Sequence, residues 1–148
     1  MIAVACVGFG GFFAIYSYIA ETATRVSGLA SSQLPWLLAV VGIGMTIGNV
    51  VGGRLSDLIP RPAMVGGFVV YMVSLALFPL LAGGSVGVFV GAGLIGLTQA
   101  SLTPAIQSRL IAASGDAALL GAASNHAAFN VGNSLGAALG GAVIAAGL

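Results

Sequence analysis

Apolar residues run along this chain in five long blocks, separated by short breaks rich in charge, Gly, Ser or Pro. The first block, 1–20, carries no charged residue and stops at Glu21. About 20 apolar residues suffice for a helix to cross a hydrocarbon core of about 30 Å. Phe9, Phe12, Phe13 and Tyr16 recur within it at helical spacing and predict one aromatic face. A polar connection from Glu21 to Gln33 follows. The second block, 34–53, has Ser31 or Ser32 as a candidate cap and Pro35 in its first turn, where a missing N–H costs nothing. Trp36 falls where an interfacial aromatic is expected. Gly44, Gly48 and Gly52 repeat every four residues and predict a groove for a neighbouring helix.

The third block spans 62–82, the fourth 86–106 and the fifth 117–148. Pro79 and Pro104 predict kinks or ends, because proline lacks the helical N–H donor. In the last block Ser124, Ala128, Gly132, Gly136 and Gly140 form a small-residue stripe at spacing four. Between the second and third blocks lies Gly53–Met64, where Arg54, Asp57 and Arg61 meet. Pro60 and Pro62 interrupt helix propagation there, so the stretch reads as a short polar hinge.

Composition turns these blocks into membrane spans. The 148 residues are 59% hydrophobic and 5% charged, with a mean hydropathy of +1.14. A soluble domain carries about 25% charged residues, so this surface calls for lipid rather than water. The 24 glycines fit the same solvent, since small residues let membrane helices approach closely. The expected fold is an all-α membrane protein with five transmembrane helices, forming a single domain over 1–148. A net charge of +1 gives no electrostatic reason to expect nucleic acid. Cys6 has no partner cysteine, so it forms no internal disulfide and says little about redox compartment. The chain has no phosphate-binding loop, metal-ligand cluster or nucleophile–base pair, so neither enzyme activity nor a cofactor nor a metal is expected.

Alternating connections place Arg54, Arg61 and Arg109 on one side and Arg25 on the other. The excess of arginine predicts a cytoplasmic hinge in a multi-pass protein of the cell (inner) membrane.

The hinge resembles the cytoplasmic loop motif of the major facilitator superfamily, through Gly53, Leu55, Ser56, Asp57 and Arg61. Leu58, Pro60 and Pro62 depart from that motif, as in the second of the family's two loops. Tyr16-Ser-Tyr18-Ile19-Ala20, followed by Ser27-Gly28-Leu29, is similar to the seventh helix of sugar and drug efflux members. The run from Asn125 to Gly136, with Ala128-Phe129-Asn130 and Gly132, resembles their eleventh helix. The similarity is to the arabinose-efflux-like branch of the drug:proton antiporters. It implies a partial C-terminal half, helices seven to eleven, truncated at both ends. It also implies alternating access, a small organic solute (drug or sugar) exported against protons, and a missing N-terminal transporter half as partner beside membrane lipid.

The resemblance makes Gly53, Arg54, Asp57 and Arg61 a conformational latch; the plain alternative is a solvated loop. Tyr16, Gln99, His126, Asn130 and Asn133 are candidates for the solute pathway. His126, Asn130 and Asn133 share a helix face at i, i+4, i+7, and an imidazole titrates in the physiological range. The polar candidates have a packing alternative, interhelical hydrogen bonding worth about 0.6 kcal/mol on average, and for His126, close to the expected cytoplasmic end, an interfacial structural role is the favoured reading. Gly44, Gly48, Gly52, Gly132, Gly136 and Gly140 are expected to pack helices. No expected span contains an acidic residue, so a proton-coupling carboxylate is expected outside this chain. A second reading of the whole is a non-transporting five-helix subunit with an assembly role.

Overall fold

The computed structural model describes residues 2–146, and these are helical with short connections. Six helices follow in order: α1 (Ile2–Tyr16), α2 (Ile19–Arg25), α3 (Leu34–Leu58), α4 (Pro60–Leu81), α5 (Ser85–Ala113) and α6 (Ala118–Ala145). Among the described residues, four segments are long and apolar enough to cross a membrane: Ser31–Leu58, Pro60–Leu81, Ser85–Ala113 and Gly115–Ala145. This corrects the expected count of five. The first block is divided between α1, of 15 residues, and α2, of seven, by a turn at Ser17–Tyr18. At that turn the Tyr18 N–H donates to Ile15 O, three residues back, which tightens the helix and ends its regular ladder.

Three other boundaries also move. The hinge is helical on both sides of Ile59, the one residue between α3 and α4. Pro60 opens α4, where its missing N–H is harmless, so the prolines start a helix here rather than hold open a loop. The serines do not cap α3. Ser31–Gln33 forms a 3-10 turn, and the Gln33 side chain accepts the Ala30 N–H at 3.1 Å. The fourth block runs on through Pro104 to Ala113.

The chain forms two compact units, one from residues 1–18 and 105–148, the other from 19–104. In the first, α1 packs along α6. Phe9 and Phe12 are buried, and Phe129 sets its ring edge against Phe9 and Phe13 at 4.8 and 5.1 Å. In the second, α3 and α4 accompany the first five turns of α5, with Leu37, Val41, Tyr71 and Val88 buried. Gly28, at φ 70°, lets the chain leave α2: the Leu29 N–H reaches back six positions to Ala23 O across this left-handed glycine. Ser27 then ties this corner to the α4–α5 turn. Its hydroxyl donates to Ala82 O at 2.6 Å, and the Ser85 hydroxyl donates to Ser27 O at 3.1 Å.

Outward faces are apolar. Val65, Val69, Met72 and Leu80 on α4 are all more than half exposed. Such faces are stable against hydrocarbon chains, where exposing Leu or Val carries no penalty. Helix association there depends on close packing and hydrogen bonds instead.

Candidate functional site

The α3–α5 contact is built on backbone. Gly44, Gly48 and Gly52 lie on one row of α3 and are buried, with Ser56 continuing the row. A Cβ on Gly44 would strike Gly93 O, on Gly48 Leu97 O, and on Gly52 Ser101 O. A row of glycines at spacing four leaves a groove in which the backbone of a crossing helix seats. The Ser56 hydroxyl donates to Gly52 O at 2.6 Å and adds no bond across the interface.

The residues expected to form the latch sit on the outer side of this same segment. Gly53 is half-buried, while Arg54, Asp57 and Arg61 are exposed. Among the described residues none of these three pairs with another. The described ion pair is instead Arg25 Nε to Glu21 Oε1 at 3.1 Å, within α2.

Tyr16 ends α1 and is partly exposed, its ring stacked on Phe12 at 5.1 Å. Gln99 is 3% exposed and its Oε1 has no hydrogen-bond partner among the described residues. Its neighbours do not supply one. Thr98 Oγ1 donates to Leu94 O at 2.8 Å, and Ser101 Oγ donates to Thr98 O at 2.8 Å.

On α6 the polar candidates flank the packed face. His126 and Asn130 are exposed and Asn133 is half-buried. The face turned inward is Gly121, Asn125, Ala128, Gly132 and Gly136. Asn125 is 3% exposed and its Oδ1 has no hydrogen-bond partner among the described residues, so the polar residue on the packed face is Asn125. Ser124, first in the expected stripe, is only half-buried. Spacing four advances 40° more than a full turn at each step, so a strict stripe walks off its face. The step of three from Asn125 to Ala128 resets it.

Gly132 and Gly136 carry α1: their Cβ positions lie 2.7 Å from Cys6 O and 2.9 Å from Ala14 N. Gly140 and Gly141 leave space for Tyr18, whose Cε2 and Oη lie 2.6 Å from the respective Cβ positions. The Tyr18 hydroxyl donates to Ala137 O at 2.8 Å. Tyr18 stands in the sequence beside Tyr16 with nothing local to distinguish it. The signal was the Gly140-Gly141 pair, whose partner ring lies more than a hundred positions away.

The structure thus gathers the aromatic end of α1 with the α6 glycines in one unit. Gln99, Gly53, Arg54, Asp57 and Arg61 belong to the other. Among the described residues no cluster of three or more His, Cys, Asp or Glu is placed to hold a metal.

The second unit also carries a groove of about 300 Å³ between α3, α4 and α5, lined by Leu55, Ile59, Pro62, Gly66, Val70 and Leu97 among others.

Three comparisons bear on these features. The profile of the Major Facilitator Superfamily matches residues 1–147. Inner membrane transport protein YdhP of Escherichia coli (strain K12) is 33% identical over 141 residues, covering 95% of this chain and 36% of that protein. Putative transporter AraJ of the same strain is 31% identical over 143 residues, with coverages of 95% and 36%. An uncharacterized MFS-type transporter, YtbD of Bacillus subtilis (strain 168), is 30% identical over 152 residues, again covering 95% and 36%. The chain therefore spans 36% of the length of these curated relatives. No solved structure matches it.

Proposed function

The chain belongs to the major facilitator superfamily and is a multi-pass membrane protein, and from that membership we propose that it forms part of the C-terminal half of a secondary active transporter. In this reading the complete transporter exports a small organic solute, a drug or sugar, by alternating access between two halves and couples export to proton entry. The observation that carries the reading is the family match over residues 1–147, together with relatives named as transport proteins. The other half is supplied by sequence outside this chain, and the solute site lies between the halves.

Gly53, Arg54, Asp57 and Arg61 form a cytoplasmic latch. Arg54, Asp57 and Arg61 are exposed and unpaired with one another, so their charges are free to meet a partner element in one access state. Tyr16, His126, Asn130 and Asn133 of the first unit, and Gln99 of the second, are the residues offered for solute contact. Gln99 carries the strongest support, since a buried carbonyl oxygen without a donor costs about 1–3 kcal/mol and a solute hydroxyl would remove that cost.

Sealed vesicles test the reading. Residues 1–148 alone are expected to give no solute flux. A longer protein containing them is expected to give flux that a protonophore abolishes. Flux from residues 1–148 alone would overturn the two-half site, and flux indifferent to the protonophore would overturn proton coupling. Asp57→Asn in the longer protein should shift cysteine accessibility between the two membrane faces; an unchanged balance would reduce Gly53–Met64 to a topology signal.

A further inference from the structure

The groove between α3, α4 and α5 has a shape and chemistry that none of the transport roles use. Along α4 it runs from Ile59 past Pro62 and Gly66 to Val70. Eleven residues of helix cover about 16 Å. That is close to half of a hydrocarbon core about 30 Å thick, the depth of one leaflet. Leu55, Ile59 and Val70 on its rim are exposed, so the groove opens outward from the unit. Its hydroxyls are already committed: Thr98 and Ser101 both donate to carbonyls of their own helix. A polar solute finds no free donor there, whereas a hydrocarbon chain needs none.

Charge distinguishes the end at Ile59 from the rest. Arg54 immediately precedes the lining residue Leu55, and Arg61 immediately precedes Pro62. Both arginines are exposed, and with Asp57 they leave one net positive charge at this end. Long arginine stems reach along an apolar surface while the guanidinium stays at the interface. Basic residues at a membrane surface favour anionic headgroups.

We propose that the groove holds one acyl chain of an anionic phospholipid, drawn from the leaflet beside the α3–α4 joint, with Arg54 and Arg61 at its headgroup. The glycines shape the site. Gly66 lines the groove, and a Cβ there would meet nothing within 4 Å. The space beside Gly66 is therefore open for the chain, not taken up by helix packing.

Gly66→Leu tests this without breaking a contact, and Gly42→Leu is its control. Gly42 is likewise open to a Cβ and lies outside the groove. The purified 148-residue chain is loaded in mild detergent with equal amounts of phosphatidylglycerol and phosphatidylcholine, and bound lipid is counted by native mass spectrometry. The unchanged chain should retain phosphatidylglycerol in preference. Gly66→Leu should lower retention of both lipids by roughly tenfold, since each buried methylene matters at this scale. Gly42→Leu should retain lipid as the unchanged chain does. Arg54→Gln and Arg61→Gln should each cut the preference for phosphatidylglycerol by roughly fivefold and leave total retention in place. Full retention by Gly66→Leu, loss of retention by Gly42→Leu, or a preference that survives both arginine changes would overturn the proposal. So would a chain that retains no lipid, which would leave the groove to a protein segment.

Discussion

Gly52→Ala isolates the contact that holds α3 against α5. The added Cβ would lie 2.5 Å from Ser101 Cα and 2.6 Å from its carbonyl carbon. Ordinary contact begins at 3.4 Å and Ser101 O lies nearer still, so the two backbones must separate by more than about 0.9 Å at this point. These atoms and Ser101 O all belong to the main chain, and no side-chain rotation relieves them. Overpacking of this kind costs about 1–3 kcal/mol. The same substitution at an open site supplies the reference. At Gly42 a Cβ meets nothing within 4 Å, so Gly42→Ala changes helix propensity alone, a gain of up to about 1 kcal/mol in water. The difference between the two variants is the packing cost. One or two kcal/mol changes a folded-to-unfolded ratio by about 5- to 30-fold. Unfolding of the chain in mixed micelles by added sodium dodecyl sulfate, followed by circular dichroism and by Trp36 fluorescence, reads that ratio. Trp36 is the single tryptophan and sits in the first turn of α3, so its signal reports this helix. Gly52→Ala should unfold at a lower detergent fraction than Gly42→Ala. Coincident transitions would refute the backbone contact, and with it the assignment of the Gly44–Gly48–Gly52 row to α5.

Other outcomes follow from the same geometry. Gly136→Ala sets a Cβ 2.9 Å from Ala14 N and 3.1 Å from Gly10 C, so amide exchange in α1 should quicken; unchanged protection would contradict the α1–α6 seam. Tyr18→Phe removes the bond to Ala137 O and should cost about 0.6 kcal/mol, the average for such bonds in membranes, in the same detergent titration. Ser27→Ala leaves the Ala82 carbonyl without its 2.6 Å donor and should destabilise by about 1–3 kcal/mol, with no loss expected only if that corner is hydrated. Gln99→Leu removes a buried acceptor that has no donor among the described residues and should raise stability by up to about 1–3 kcal/mol; a clear loss would mean that Oε1 is bonded.

Much of the architecture is legible from hydropathy alone. The apolar blocks beginning near residues 62 and 86 became α4 and α5, because a continuous helix is the structure that satisfies every backbone group inside lipid. The row at Gly44, Gly48 and Gly52 was readable because two steps of four stay on one face. The stripe on α6 was readable only in part: four such steps drift too far, and Asn125 replaced Ser124 on the packed side. The polar character of Gly53–Met64 was plain, but its conformation was not. Pro60 excludes a helix running through it and equally favours one starting at it, and local sequence cannot choose between the two.

By itself the sequence determined the all-α membrane character and the family, since each depends on composition or on spacing within a few turns. Tertiary structure alone decided the rest. The break at Ser17–Tyr18 contains neither Gly nor Pro, and Tyr18 is held there by the Ala137 carbonyl and the space over Gly140 and Gly141. The orphaned oxygens of Gln99 and Asn125, and the groove beside Gly66, exist only where helices distant in sequence enclose them. A helix face is written in three to seven neighbouring residues, whereas a cavity or an unmet hydrogen bond is a property of what packs around it.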